Sequence, residues 1–451
     1  MPVTEQDPVF ERLLAYAATE MGRLHVPGVA IGVLREGKAY TGGLGVTHVE
    51  HPLPVDALTL FLAGSISKTM TTLAIMRLVE QGRLDLESPI RKYLPDLRLH
   101  DAEVTEQVTL RHVFTHTGGW IGDFYMDMGM GDDALARMVA EMADLTQVTP
   151  LGTRWSYNSA GFYLAGRILE ILTGTHYEEA MRALVFEPLG MQQTFFFAHE
   201  VMTYRFSVGH EVRDAQPVVV RPWTLPRSVN PAGGVSSTLN DLLRYARFHL
   251  GDGTTPDGKR LLTPESMRFM QSPQIVVNDT MDAVGLTWWL KTVAGVPTVG
   301  HDGIIQGQIS RFMLAPERGF ALILLTNAEC GAELNDLLEQ WAFQQYLGIS
   351  RPKPAHLRVP QEQLASYVGQ YTLASTELDL SLVEGELVMQ ITEQDAPQAP
   401  AQVTRLAFLS EDRVIALDPP LRDVQGAFLR SPDGRIAWFR FFWRIHQRQA
   451  S

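Results

Sequence analysis

The stretch PVFERLLAYAATEMGRL, residues 8–24, sets apolar positions at helical spacing behind an early proline and predicts a surface helix lying on a core. Directly after it, GVAIGVLREGKAYTGGLGV carries two apolar runs around the turn REGK, the pattern of a β-hairpin. The same shape returns far along the chain in QISRFMLAPERGFALILLTNA, with APERG as the turn, followed by the helical pattern ELNDLLEQWAFQQYLG. If these distant hairpins share one antiparallel sheet, the two terminal helices cover one of its faces and the long middle inserts as a mainly helical part. The expected class is α+β, an antiparallel sheet flanked by helices with an α-rich subdomain.

The pattern breaks at SRPKPAHLRVPQ, where Pro352, Pro354 and Pro360 leave no room for a helix or a central strand. The chain therefore divides into a domain at 1–350, a linker at 351–361 and a module at 362–451. In that module short alternating runs, LDLSLV, ELVMQIT, RVIALD, GAFLRS and IAWFRFFWRI, each read as one strand of a small antiparallel barrel. Residues 361–404 hold seven acids and neither Lys nor Arg, while 430–451 hold five arginines and one acid. The two ends of the module are expected to attract each other.

Composition narrows the function classes. With 451 residues and 45% hydrophobic content the chain can bury a large core and a smaller one. The formal net charge is −13 and the lysines are scattered, so no basic surface for nucleic acid or anionic lipid is expected, and a small-molecule or peptide partner is favoured. A single cysteine, Cys330, excludes an intramolecular disulfide and thiolate metal clusters. The acidic start MPVTEQD lacks a leader pattern and no apolar run approaches a membrane span, which points to a cytoplasmic protein, or a secreted one if a signal has been removed.

The candidate chemistry sits in GSISKT, residues 64–69. A phosphate loop needs G-x-x-x-x-G-K-[ST], but Ser67 precedes the lysine and Leu62 replaces the first glycine. Read as S-x-x-K at a helix start, Lys68 falls one turn after Ser65 on the same face and could serve as its base. The helix that follows is apolar nearly all round and should be buried, which disfavours the ammonium form. Structural roles compete with this one, Ser65 as a helix N-cap and Lys68 as a snorkelling side chain. The spacing recurs at Ser350 and Lys353, where Pro352 excludes a helical turn. His112 and His116, four apart in RHVFTHTGG, lack the glutamate of H-E-x-x-H, so no metal site is expected there. Trp120, Phe124 and Tyr125 fall in a Gly- and Met-rich stretch that reads as a mobile loop over a site.

Five ordered strings, FLAGSISKT, LRHVFTHTGGW, GTRWSYNSAGFYLAGRILE, NPAGGVSSTLNDLLRYARF and VGHDGIIQGQISRFMLAPERG, give residues 8–348 a resemblance to the serine β-lactamase and penicillin-binding-protein superfamily. They look most like its class C-type branch of esterases and D-amino-acid peptidases. The resemblance implies catalytic roles for Ser65, Lys68 and Tyr157, the last in the Y-x-N position, where Ser159 replaces the usual asparagine. It implies an oxyanion hole from the backbone N–H groups of Ser65 and Ile304, and a strand motif HDG, His301 to Gly303, in place of K-T-G. His301 is then a switchable donor without the fixed charge of lysine, and Gly303 allows close approach of substrate. The implied activity is hydrolysis of an ester, amide or short-peptide bond through an acyl-enzyme, without cofactor or metal. A weak β-lactamase, a penicillin-binding protein and a non-catalytic binding or sensor protein are the alternatives. The C-terminal module resembles the lipocalin-like barrel appended to some peptidase relatives, where it guards the cleft or builds a homo-oligomer.

Overall fold

The computed structural model describes residues 7–449 except 224, 353, 396, 397 and 399. Lys353 of the second S-x-x-K match and residues 1–6 at the start of the chain lie outside the described residues.

Both predicted hairpins form, Gly28–Arg35 with Lys38–Gly45 and Gln308–Ala315 with Phe320–Thr326. They meet edge to edge, because Gly28–Arg35 pairs antiparallel with Phe320–Thr326. The sheet continues through Val296–Ile305, Trp289–Val293, Ala283–Val284 and Ile275–Val276 to eight strands. The central strand is apolar at almost every position because both of its faces are covered. Phe320, Leu322 and Leu324 join a core under the helices Pro8–Leu24 and Gly331–Ala342, whereas Ala321, Ile323 and Leu325 join the main core with the helix Leu239–Leu250. The terminal helices thus cover one face and the inserted middle supplies the other.

That middle is mostly helical, with Ala102–Gln107, Leu110–Phe114, Ala134–Glu141 and Gly161–Thr173 around the helix Ile66–Glu80. Ile66–Glu80 is buried nearly all round, as its composition predicts. Its hydroxyls pay the desolvation cost locally: Thr69, Thr71 and Thr72 each donate back to a carbonyl three or four residues earlier, and Thr71 and Thr72 also meet Tyr177 and Thr287.

The C-terminal module is a closed barrel of eight antiparallel strands in sequential order, Gly369–Leu373 pairing with Arg444–Arg448 to shut it. Its interior is filled by Tyr367, Tyr371, Phe408, Phe428 and Phe439, all buried and in mutual ring contact, so it is a packed body. Two expectations are corrected here. IAWFRFFWRI is two strands, Ile436–Phe441 and Arg444–Arg448, folded back at Phe442 and Trp443. No Gly or Asn marks this turn; both aromatics adopt left-handed φ values, 46° and 66°. Nor do the arginines all answer the acidic stretch. Arg440 pairs with Asp279 of the first domain at 2.6 Å, both nearly fully buried, and Arg444 pairs with Asp123 there at 2.6 Å. The barrel is therefore bolted to the first domain by ion pairs that run across the chain.

Candidate active site

Ser65 stands at the N-terminus of the helix Ile66–Glu80, and it alone of GSISKT is not fully buried. The turn that presents it is held by Gly64, at φ 54°, where a Cβ would lie 3.0 Å from the backbone nitrogen of Ile304. One helical turn on, Lys68 Nζ is 3.0 Å from Ser65 Oγ and 2.6 Å from the carbonyl oxygen of Ala232. Both partners are neutral and the side chain is 1% exposed. Burial, then the positive charge of Arg444, hold the Lys68 amine well below its ordinary range. In its unprotonated form, which this burial favours, the amine touching the serine hydroxyl is an acceptor for its proton. The string NPAGG supplies, through Ala232, the carbonyl that orients this base.

Tyr157 faces the pair from the other side. Its phenol lies within hydrogen-bonding reach of Ser65, and burial raises it above its usual range, so it stays protonated at neutral pH. Lys68 Nζ is 5.1 Å from the centroid of its ring and the Arg444 guanidinium carbon 4.7 Å. His116 stacks on the ring at 4.6 Å. His112 and His116 are not on one helical face: the helix Leu110–Phe114 ends before His116, which takes φ 54° and meets the backbone of Asn158, while His112 caps Thr109. Among the described residues no group of three or more His, Cys, Asp or Glu is placed to hold a metal ion.

Val296–Ile305 forms the opposite wall. The register pairs Ile305 with Gln308 across the two-residue turn Gln306–Gly307, so Ile304 and Ile309 make the next, non-hydrogen-bonded pair. The Ile304 N–H therefore points away from its partner strand, toward the Gly64–Ser65 turn. Gly303 is needed for that approach: a Cβ on it would lie 2.1 Å from the Ala63 carbonyl oxygen. The close neighbour of Gly303 is thus the serine turn itself. His301 stacks on Trp289 at 4.5 Å and its Nδ1 meets the Asp302 carbonyl at 2.7 Å, which fixes the proton on Nδ1. Its Nε2 is buried with no hydrogen-bond partner among the described residues. Burial lowers this imidazole to about 3, which favours the neutral form with Nε2 as an acceptor.

Ser159 is fully buried and its hydroxyl lies 3.0 Å from the phenol of Tyr125. Its neighbour Asn158 is turned away from it, donating to the Trp120 carbonyl and accepting from Gly161 N–H. Of the three loop aromatics, Trp120 is core and Phe124 packs against the core, and only Tyr125 turns its hydroxyl to a predicted site residue. The contribution sequence reasoning missed comes from the barrel. Trp443 accepts the Tyr157 N–H at 2.8 Å through its carbonyl and packs with Trp155, Tyr157 and Trp289 in one cluster. The only trace of this in the sequence is an aromatic pair where the strand has to turn.

Comparison with known proteins agrees with this architecture. Residues 13–345 match the β-lactamase family. The chain is similar to penicillin-binding protein 4 of Amycolatopsis lactamdurans, 38% identical over 337 residues that cover 73% of this chain and 88% of that one. Among solved structures, SurE with D-Leu superposes with a TM-score of 0.76 at 23% identity, covering 98% of this chain and 99% of that one. A class C β-lactamase superposes with a TM-score of 0.65 at 19% identity, covering 75% and 96%. The chain belongs to the β-lactamase family, within the superfamily of active-site serine hydrolases that includes the penicillin-binding proteins.

Proposed function

We propose that the protein hydrolyses an ester or amide bond through an acyl-enzyme on Ser65. The observation that carries this reading is the Lys68 amine, buried, held well below the ordinary lysine range by that burial, and 3.0 Å from Ser65 Oγ. In the proposed cycle Lys68 takes the serine proton as Ser65 attacks the carbonyl, and Tyr157, a neutral phenol, relays it, giving its own proton to the leaving group as it takes the one from Lys68. The N–H groups of Ser65 and Ile304 hold the oxyanion. Water then attacks the acyl-enzyme and the proton transfers run in reverse.

Within this class we favour an esterase or a peptidase or amidase for small D-configured substrates over a dedicated β-lactamase. HDG offers no fixed positive charge where the family's lysine would meet a substrate carboxylate, since His301 is neutral. The whole-chain likeness to a protein solved with D-Leu fits a D-configured residue. A panel of p-nitrophenyl esters, D- and L-aminoacyl amides and a cephalosporin, run on wild type and Ser65→Ala, tests it. Turnover of esters or D-aminoacyl amides that vanishes in the variant supports the reading, and cephalosporin turnover above both would reverse the ranking.

A further inference from the structure

Arg444 belongs to the barrel in sequence and to the Ser65 site in space. It makes a two-pronged pair with Asp123, at 2.7 and 2.6 Å, and lies 4.7 Å from the Tyr157 ring centroid. Asp123 is two residues from Tyr125, whose phenol meets Ser159. The turn that delivers Arg444 is built from Phe442 and Trp443 in left-handed conformations that bulky residues rarely take, and Trp443 in turn carries the Tyr157 N–H. Strain kept at such a place is compensated by packing against the site.

We infer that Arg444 is a positioning residue of the Ser65 site, supplied in cis by the barrel: it fixes the ring of Tyr157, tethers the loop bearing Tyr125, and sets a positive charge near Lys68. The inference rests on the serine-hydrolase reading of that site. Ser65 and Ala232 accept the hydrogen bonds of Lys68, the Tyr157 and Phe162 rings lie 5.1 and 5.6 Å from Nζ, and His116 and His301 are held neutral by burial. Arg444 is the foremost charge acting on it and favours the neutral amine, while Asp123 acts in the opposite sense and by less. The barrel thereby helps to set the protonation state of a base it does not touch.

The test uses the full chain labelled with [13Cε]lysine. The chain has only six lysines, so the Lys68 signal can be assigned by its loss in Lys68→Ala. Removing the cation that shares the Tyr157 ring with Lys68 in Arg444→Gln should raise the Lys68 titration midpoint by about one pH unit. Arg444→Lys should restore it, and Asp123→Asn should move it the other way. The acid limb of the fluorophosphonate labelling rate should shift with the midpoint. A Lys68 midpoint in Arg444→Gln equal to wild type, with the fold intact by circular dichroism, would overturn the inference. If instead wild type fails to label while the midpoint still moves, the hydrolase reading falls and the electrostatic role of Arg444 stands. Should Arg444→Gln fail to fold, the Arg444→Lys and Asp123→Asn titrations decide: no displacement in Asp123→Asn counts against the inference.

Discussion

The backbone N–H of Tyr157 donates to the carbonyl of Trp443 across 2.8 Å, so a residue that faces Ser65 is anchored by the last hairpin of the barrel. Cutting the chain after residue 350 would remove that anchor and Arg440, and would expose Trp155, Tyr157 and Trp289 to water. The truncated protein is expected to label at least about 100-fold more slowly and to bind a hydrophobic dye that the full chain does not. Unchanged labelling in a truncated protein that folds would show the barrel to be dispensable.

Lys68 is expected to trade stability for chemistry. Its amine is held below the 10.5 of a free lysine, so between its folded value and 10.5 the unfolded chain binds more protons. Wild type therefore gains stability as pH rises through that window, and bears the full cost of burial below it. Lys68→Met should abolish labelling and stabilise the protein by roughly 1–2 kcal/mol at neutral pH, the gain shrinking toward pH 10. Urea unfolding at several pH values measures it; a destabilised variant would mean that the ammonium is well satisfied in the fold.

Gly303→Ala would push a methyl group into the Ala63 carbonyl, 2.1 Å from the ideal Cβ position. The serine turn and the Ile304 N–H then have to separate. The cost is about 1–3 kcal/mol in unfolding free energy, with an expected loss of about 100-fold or more in kcat/KM. A wild-type rate would place the oxyanion donors elsewhere.

His301 is held near 3 by burial, so no histidine limb from it is expected between pH 5 and 8. His301→Gln should leave the shape of the kcat/KM profile unchanged while lowering its height by a few-fold. A limb near pH 6 that disappears in this variant would show that His301 titrates during turnover.

The sheet was legible because its hairpins set continuous apolar runs around clear turns, and the buried helix because GSISKT opens a stretch that is apolar nearly all round. Ser65 and Lys68 were picked out by a short string whose chemistry is local, Tyr157 and the HDG strand by the resemblance, and the fold brings them together. What escaped was long-range and electrostatic. Nothing in the string WRIH says that Arg444 will reach Asp123, 321 positions away, rather than the acidic first strands of its own barrel. The turn at Phe442 and Trp443 was hidden for a related reason: local preference argues against it, and the packing of Trp443 against Trp289 and Tyr157 overrides that preference. The Ala232 carbonyl was likewise invisible, since a backbone oxygen has no signature in sequence.

Mass spectrometry of intact wild type and Ser65→Ala after exposure to a fluorophosphonate probe tests the central claim most directly. One adduct is expected on wild type, mapped to Ser65 in its peptide, and none on the variant. An adduct that persists on Ser65→Ala, or a folded wild type that takes none at any pH, would contradict the assignment of Ser65 as the nucleophile.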